Sequence, residues 1–454
     1  MARGQRRGVG AEGYRPPFEV LDLSYAEALQ TLHAACKFGI QPMLETVVDM
    51  LAELGDPDLS FRSLQIAGTN GKTSTSRYAA AILRGQGLRV ALYTSPELVS
   101  LTERMEVDGV PVSEGTFARS VAAAAEAGRR VNVRRRASGE RPYDVTQFDI
   151  LTVAACVAFA QADVDVAVLE CGMGGRWDAT SAVKSIEAVA VTGVGLDHTR
   201  ILGDTLEAIA GEKAAIIRCG QSCVLGVGTA TPDSVEDVFL DRCRSQDVAP
   251  VLLRPERLED AAGEMHAGVP RRHASLLRAS YRITSRPRCL GAPLELTVRT
   301  PRRAYTGLTA LKPSYQAANI ACAVTLTEAF LDGELDGDRL LESVRQCPTP
   351  GRFSLLRPNP PVLVDACHNP QSVDAFLAAL QDIAPDPATR PPLLCAVLAD
   401  KDVGGIVSRL ARAFPAVVCT QTSSSRSLGA DELVRRFLAA GAKVTGSYGS
   451  VAAA

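Results

Sequence analysis

The sequence lacks the features that mark several specialised classes of protein. Its net charge is -2, with 49 lysines and arginines against 51 aspartates and glutamates, so no basic excess indicates a nucleic-acid partner. No apolar run reaches the roughly 18 residues of a membrane-spanning helix, so no membrane partner is indicated. The twelve cysteines are scattered, and no second pair lies at zinc-ligand spacing from Cys219 and Cys223. We therefore expect reduced thiols, a cytoplasmic location and a small-molecule partner.

The length and the apolar content predict two domains. The chain has 454 residues, of which 46% are apolar, which is enough for more than one core. We expect a flexible tail over residues 1–20, a first domain over 21–347 and a second over 348–454. Apolar runs alternate with helical patterns in both, which is typical of βα units around a mostly parallel sheet. A stretch rich in Arg, Pro and His, about 251–303, predicts an irregular insert.

One glycine-rich turn has the composition of a nucleotide-phosphate cradle. It lies between an apolar strand and a helix-forming run, where backbone N–H groups and the helix terminus attract anions and a lysine reaches the β- and γ-phosphates. Ile66 replaces the first glycine of the full P-loop pattern. The cradle consists of Gly68, Thr69, Asn70, Gly71, Lys72, Thr73 and Ser74.

Other polar side chains follow the ends of neighbouring predicted strands. Ser95, Glu170 and His198 each come directly after an apolar strand-like run, as Lys72 does. Because ligands of open α/β sheets gather at the carboxyl ends of the strands, we expect these four residues to line one crevice.

Lys213 lies on the apolar face of a predicted helix over 205–218. At 100° per residue, Leu206, Ile209 and Ile217 form one stripe, and Lys213 falls within it. Burial favours a neutral and therefore reactive amine; the alternative is a lysine whose ammonium extends past the stripe to water.

Charged residues also follow strands in the second half. Arg352 precedes one predicted strand, while Asp365 and His368 follow it. This placement suggests that the second domain contributes to the same active site.

As a set, these motifs resemble those of the Mur ligase superfamily, and most closely its folylpolyglutamate synthase and dihydrofolate synthase branch. The resemblance implies an α/β fold, with an N-terminal P-loop ATPase domain on a mostly parallel sheet and a smaller C-terminal Rossmann-like α/β domain. The matching runs, in the family's order, are AGTNGKTST, YTSPEL, TERMEV, TQFD, LECGMGGRWDAT, GLDHTRILGDTLEAIAGEKAAII, YQAANIACA, PGRF, VDACHNP and ADKD.

The resemblance also implies roles for individual residues. ATP is expected at Gly68 to Ser74 and at Asn319, Arg352 and Asp365, with Lys72, His198 and Lys213 as catalytic residues. Two Mg²⁺ ions are expected, bound by Ser95, Glu170, His198 and a carbamate on Lys213. The expected substrate-binding residues are Phe38, Gly39, Ile40, Thr146, Gln147, Phe148, Asp149, Trp177, Asp178, Ala179 and His368.

The implied reaction joins L-glutamate to dihydropteroate, to a (tetrahydro)folate, or to both, through an acyl phosphate, in a monomeric enzyme. Three residues depart from the family pattern. Glu97 replaces the histidine of Ser-Pro-His, which suggests a further anion near the first metal, Asp149 stands where a glutamate is usual, and Ser181 replaces the asparagine that usually follows Asp-Ala-Thr. The alternatives are another Mur-type amino-acid ligase, and a P-loop kinase or nucleotide-gated binding protein without a ligase step.

Overall fold

The computed structural model describes residues 13–35, 43–256 and 276–454. Within these ranges the helices are α1 (Tyr25–Ala34), α2 (Glu45–Glu53), α3 (Lys72–Gly85), α4 (Glu114–Ala137), α5 (Gln147–Gln161), α6 (Thr199–Leu202), α7 (Leu206–Ala214), α8 (Asp233–Ser245), α9 (Gln316–Leu331), α10 (Gly337–Gln346), α11 (Pro370–Ile383), α12 (Val403–Leu410) and α13 (Ala430–Ala439).

The described strands alternate with these helices over much of the chain. They are β1 (Arg62–Ala67), β2 (Val90–Tyr93), β3 (Met105–Val107), β4 (Val110–Pro111), β5 (Val166–Glu170), β6 (Ile186–Gly193), β7 (Ser222–Gly228), β8 (Pro250–Pro255), β9 (Leu277–Ser285), β10 (Leu294–Arg299), β11 (Ala304–Ala310), β12 (Ser354–Pro358), β13 (Pro361–Val364), β14 (Leu393–Cys395), β15 (Val417–Thr420) and β16 (Val444–Tyr448).

In the large sheet, β1 lies between β6 and β5. The strand order of the sheet is β11-β10-β9-β8-β7-β6-β1-β5-β2-β3-β4, and β1 pairs in parallel with both β5 and β6. Strands β2 and β5 are buried along their whole length, as expected for parallel strands covered on both faces. The carboxyl ends of β2, β5, β1 and β6 therefore lie side by side, which confirms the predicted mostly parallel α/β sheet.

Helix starts in this region use local capping. Thr146 caps α5 by accepting a hydrogen bond from the Asp149 N–H, and the Asp149 carboxylate accepts one from the Thr146 N–H in return. This reciprocal pair satisfies two backbone donors that the first turn of a helix otherwise leaves without partners. Residues 150–160 of α5 are buried, so the helix is fixed by its packing as well as its cap.

Strands occupy the described parts of the segment predicted as an irregular insert. β8, β9 and β10 all fall within or beside residues 251–303, and β8 pairs in parallel with β9. Most side chains of β9 are exposed or half-buried, so its sequence shows no apolar run of the kind that revealed the central strands.

The chain forms two compact units. The first comprises Met1–Arg282, Thr297–Leu308 and Ala318–Cys347, and the second comprises Ile283–Leu296, Thr309–Ala317 and Pro348–Ala454. The second unit contains the antiparallel pair β12-β13 and the parallel three-stranded sheet β14-β15-β16. Its core includes Val417, Cys419, Leu433 and Phe437. Across the three described ranges, no helix is both long and apolar enough to cross a membrane.

Candidate active site

The glycine-rich turn joins β1 to α3 and needs glycine at two positions. Gly71 has a φ of +85° and directly precedes α3, a left-handed conformation that glycine adopts at little cost. A Cβ on Gly71 would lie 2.5 Å from Asn319 Oδ1, and one on Gly68 would lie 1.9 Å from Thr192 Oγ1. The close packing of the turn against β6 and α9 therefore excludes larger residues.

The turn is tied to the end of β6. The Thr192 hydroxyl donates to the Asn70 carbonyl at 2.6 Å, and the Thr69 N–H donates to the Gly193 carbonyl at 2.9 Å. The Thr69 hydroxyl accepts from the Gly195 N–H at 3.0 Å. These three bonds fix the loop against the end of β6. Sequence reasoning missed Thr192, although a hydroxyl inside an otherwise apolar strand is a signal that could have identified it.

Two lysines donate to the same backbone oxygen of this turn. Lys72 Nζ lies 3.0 Å from the Gly68 carbonyl oxygen, and Lys213 Nζ lies 3.1 Å from it. Lys213 is only 3% exposed, which confirms that this lysine of the apolar helix stripe is buried. The two side-chain nitrogens therefore meet at one point of the turn, where an anion would find two donors.

The pKa of Lys213 reflects this crowding of positive charge. The pKa of Lys213 falls from 10.5 to about 7, chiefly because of burial and next because of the charge of Lys72, while Cys171, Asp197 and Asp178 oppose the shift. A buried amine is harder to protonate because the charged form loses its hydration. Near neutral pH a large fraction of Lys213 is therefore the neutral, nucleophilic amine.

Glu170 ends β5 beside this turn and is 1% exposed. Its Oε1 accepts from the Thr73 hydroxyl at 2.8 Å, and its Oε2 accepts from the Ser95 N–H at 3.4 Å. The structure thus brings together the ends of β1, β2 and β5, as the sequence predicted. His198 follows β6 at the start of α6 with a φ of +52° and an exposed side chain.

The donor set around Glu170 fits a divalent cation that also binds phosphate. Among the described residues, no three His, Cys, Asp or Glu side chains form a metal-binding group. Mg²⁺ typically takes one or two carboxylates and completes its shell with substrate phosphates and water. One buried carboxylate, bonded to the Thr73 hydroxyl and lying next to the glycine-rich turn, matches that pattern.

The residues expected at the substrate include several with structural roles of their own. Asp149 Oδ2 accepts from the Thr146 hydroxyl at 2.7 Å, so its carboxylate is occupied by the helix cap. Burial raises the pKa of Asp149, against the lowering effect of the Thr146 hydrogen bonds. Phe148 packs against Tyr93, with ring centroids 6.1 Å apart, and a Cβ on Gly172 would lie 2.7 Å from its ring. Gln147 is the half-buried first residue of α5.

Asp178 organises the glycine-rich segment after β5. Its Oδ2 accepts from the Met173 N–H at 2.9 Å, and its Oδ1 accepts from the Thr180 N–H at 3.1 Å. Burial raises the pKa of Asp178, although these hydrogen bonds lower it. The neighbouring Trp177 is 41% exposed, while Ala179 is buried. Phe38, Gly39 and Ile40 lie outside the described residues.

Asp365 organises the corresponding loop of the second unit. Its Oδ2 accepts from the Phe353 N–H at 2.8 Å and from the Tyr315 hydroxyl at 3.1 Å. Burial and the Asp365 charge raise the pKa of Tyr315, whereas the nearby Arg352 charge lowers it. His368 Nδ1 lies 3.0 Å from the Ala366 carbonyl oxygen. Arg352, Asp365 and His368 therefore share one loop region of this unit.

Comparisons with known proteins extend over both units. Residues 66–225 match the Mur ligase middle domain, and residues 351–454 match the Mur ligase glutamate ligase domain. The dihydrofolate synthase/folylpolyglutamate synthase of Mycobacterium tuberculosis is 33% identical over 413 residues, covering 88% of this chain and 78% of that protein.

Solved structures show the same fold. The M. tuberculosis folylpolyglutamate synthase complexed with ADP and AMPPCP has a TM-score of 0.80 and 29% identity, covering 94% of this chain and 89% of that one. A bifunctional folylpolyglutamate synthase/dihydrofolate synthase with Mn, AMPPNP and L-glutamate bound has a TM-score of 0.73 and 25% identity, covering 93% and 89%. This chain is therefore a member of the dihydrofolate synthase/folylpolyglutamate synthase family of Mur ligases.

Proposed function

We propose that this chain is an ATP-dependent amide ligase that joins L-glutamate to the carboxylate of dihydropteroate or of a (tetrahydro)folate. The observation that carries this proposal is the convergence of Lys72 and Lys213 on the phosphate turn beside the buried carboxylate of Glu170. A cradle for phosphate and an oxygen site for a divalent cation occur together there, in a chain whose relatives are named for glutamate ligation to folates.

The proposed chemistry proceeds through an acyl phosphate. An oxygen of the substrate carboxylate attacks the γ-phosphorus of ATP, the bond to the β–γ bridging oxygen breaks, and ADP leaves. The amine of glutamate, after losing a proton, attacks the acyl carbon, and the carbon–oxygen bond to phosphate breaks. Amide, ADP and phosphate are the products. A carboxylate is a poor electrophile, and phosphorylation supplies the leaving group that it lacks.

Residues of the turn stabilise the charge that moves during the first step. Lys72 is expected to leave the Gly68 carbonyl and bind the transferring phosphoryl group, since charge on its oxygens must be balanced by fixed donors. Gly68, Thr69, Asn70, Gly71, Thr73 and Ser74 are proposed to hold the phosphates. The ties between Thr192 and the turn keep these donors in place before ATP arrives.

Two Mg²⁺ sites are part of the proposal. Ser95, Glu170 and His198 would hold the first ion, and Lys213 would contribute to the second. When bound, the ions neutralise negative charge on the phosphate oxygens. The observed bonds of Glu170 to the Thr73 hydroxyl and the Ser95 N–H orient its carboxylate for this role.

Lys213 is proposed to act as a carbamate. Carbon dioxide would add to the neutral Nζ, with formation of an N–C bond and loss of a proton, so that an anionic oxygen ligand replaces an ammonium. Because the pKa of Lys213 is lowered to about 7, the neutral amine that this reaction needs is present near neutral pH. The change also removes one of two cations from the Gly68 carbonyl, which is a gain where Mg²⁺ must bind.

The remaining assignments are proposals of the same kind. Asn319 touches the turn at Gly71, and together with Arg352 and Asp365 it is proposed to contact ATP. His368 and the residues of the loops after β5 and before α5 (Thr146, Gln147, Phe148, Asp149, Trp177, Asp178 and Ala179) are proposed for the substrates. The domain boundary at 347/348, a monomeric state and a cytoplasmic location also stay predictions.

One assay distinguishes the proposed function from the alternatives. Purified protein is supplied with ATP and Mg²⁺, with dihydropteroate or tetrahydrofolate as the acid, and with or without glutamate. We expect both acids to be extended by one glutamate. Extension by a different amino acid would indicate another Mur-type ligase, and phosphorylation of the acid without amide formation would indicate a kinase.

A further inference from the structure

The segment from Thr94 to Arg104, between β2 and β3, forms a loop whose first half is hydrogen-bonded to its last two residues, Glu103 and Arg104. The Thr94 N–H donates to the Arg104 carbonyl at 3.0 Å. The Glu103 carboxylate accepts from three successive backbone N–H groups, those of Leu98, Val99 and Ser100, at 3.0, 3.1 and 2.9 Å. Such a set of donors favours the charged carboxylate, and the pKa of Glu103 is lowered accordingly, against the effect of burial.

A partly buried ion pair completes this closure. Arg104 Nε lies 2.5 Å from Glu97 Oε2, and the side chains are 14% and 28% exposed. The sequence suggested Glu97 as an extra anion near the first metal, and in the structure its carboxylate is paired with Arg104. Pairs that are shielded from water are screened less than fully exposed ones, so this pair has more influence on the loop than a surface pair would.

The pair connects directly to the residues proposed to bind metal. Glu97 is two residues beyond Ser95, whose N–H donates to Glu170 at 3.4 Å. On the other side of Ser95, the Thr94 N–H is bonded to the backbone carbonyl of Arg104, whose side chain forms the pair with Glu97. Ser95 is thus fixed from both directions. We propose that Glu97 and Arg104 are positioning residues, whose ion pair sets the distance of Ser95 from Glu170 and so supports binding of the nucleotide with its divalent cation.

This inference rests on the proposed function, because it takes Ser95 and Glu170 to be metal ligands. It makes a different prediction from direct coordination by Glu97. If the two side chains act as a pair, replacing either one lowers the affinity for the nucleotide by the same factor. Replacing both lowers it little further. If Glu97 is a ligand, only its own removal matters, and losing Arg104 frees the carboxylate for the cation.

The test measures binding of ADP with Mn²⁺ by titration calorimetry, with no turnover required. For Glu97→Gln, for Arg104→Gln and for the double variant, we expect a loss of affinity of about tenfold each, which is typical of coupled charged neighbours. In turnover, the KM for ATP should rise about tenfold, while the KM for glutamate changes less than about twofold. A general loss of folded protein would lower kcat and leave both KM values unchanged.

The matched control breaks an ion pair elsewhere in the first unit. Glu126 and Arg129 pair on the surface of α4, with Arg129 63% exposed, and the variant Glu126→Gln/Arg129→Gln should bind ADP with Mn²⁺ as the wild type does. Unchanged affinity in the single variants at Glu97 and Arg104 overturns the proposal. Additive losses, or tighter binding in Arg104→Gln, also overturn it and favour direct coordination.

Failure of the proposed function gives a different result. A wild-type protein that binds ADP with Mn²⁺ but shows no glutamate-dependent ADP formation contradicts the ligase, and the equal losses in the pair variants would still support the positioning role. If the protein is an active ligase and both Glu97→Gln and Arg104→Gln bind ADP with Mn²⁺ as the wild type does, only the positioning role is contradicted.

Discussion

Replacing Lys213 by methionine should stabilise the ligand-free protein at neutral pH and abolish its ligase activity. The pKa of this lysine falls from 10.5 to about 7 on folding, and each pH unit corresponds to 1.36 kcal/mol. Burying the ammonium therefore costs about 5 kcal/mol below pH 7, and about 4 kcal/mol at pH 7, where half of the folded molecules are already neutral. The hydrogen bond to Gly68 recovers about 2 kcal/mol of this. Methionine, of similar volume, should give a net gain of about 2 kcal/mol at pH 7.

The pH dependence of this gain has a definite sign. The folded-state pKa is the lower one, so between pH 7 and pH 10.5 the unfolded chain binds more protons and wild-type stability rises with pH. Between pH 7 and pH 9 the wild type should gain about 2 kcal/mol relative to Lys213→Met, and the two proteins should become nearly equal in stability.

Guanidinium unfolding followed by tryptophan fluorescence is the assay for this comparison. Trp177 is the single tryptophan of the chain and lies in the first unit with Lys213, so the signal reports the relevant unit. Buffers free of carbon dioxide exclude carbamate formation. Lys184→Met is the control for the loss of a lysine outside the site, since Lys184 is exposed and pairs with Asp56.

Parallel stability curves for wild type and Lys213→Met over this pH range would refute the reasoning. A variant less stable than wild type at pH 7 would do the same, because the ammonium would then be well accommodated. Added bicarbonate should reduce the difference at pH 7 if Lys213 takes up carbon dioxide.

Three further substitutions test the site. Lys72→Ala should lower product formation by at least about a thousandfold, with an unchanged circular dichroism spectrum; near-normal turnover would contradict the role of the turn. Gly68→Ala should abolish ADP binding, because its Cβ would lie 1.9 Å from Thr192 Oγ1, whereas Gly211→Ala, whose Cβ meets nothing within 4 Å, should bind ADP normally in the same titration. Asp365→Asn should destabilise the second unit by about 1 to 3 kcal/mol and raise the KM for ATP, since a neutral amide replaces a carboxylate that holds several donors; an unchanged denaturation midpoint and KM would show that the charge is not needed.

The phosphate turn and the burial of Lys213 were predictable because each depends on local pattern. Glycines next to a lysine at a strand-to-helix junction define the turn, and a lysine four residues after Ile209 must share its helix face. The predicted helix over 205–218 was too long at its end, since α7 stops at Ala214 and Ile217 lies beyond it. The grouping of Ser95 with Glu170 followed from the rule that the carboxyl ends of parallel strands meet at one edge.

The partners of these residues were not predictable, because they depend on strand order and side-chain geometry. The bond from Thr192 to Asn70 requires β6 to lie beside β1, which no local pattern reveals. Glu97 was expected only as a further anion near the first metal, and its pairing with Arg104 depends on how the segment between β2 and β3 folds. In the same way, the Asp149 carboxylate accepts a hydrogen bond from the Thr146 hydroxyl at the start of α5. The resemblance predicted Asp149 as a substrate-binding residue and did not suggest this part in the helix cap.

The central claim, that the chain uses ATP to join glutamate to a pteridine-bearing acid, is tested most directly by following ADP release and product mass in the same reaction. With dihydropteroate or tetrahydrofolate, glutamate and Mg²⁺ all present, we expect one ADP for each product molecule that carries one added glutamate. Omission of either the acid or glutamate should stop product formation. ADP release at the full rate without glutamate, or an acid whose mass does not change, would contradict the account.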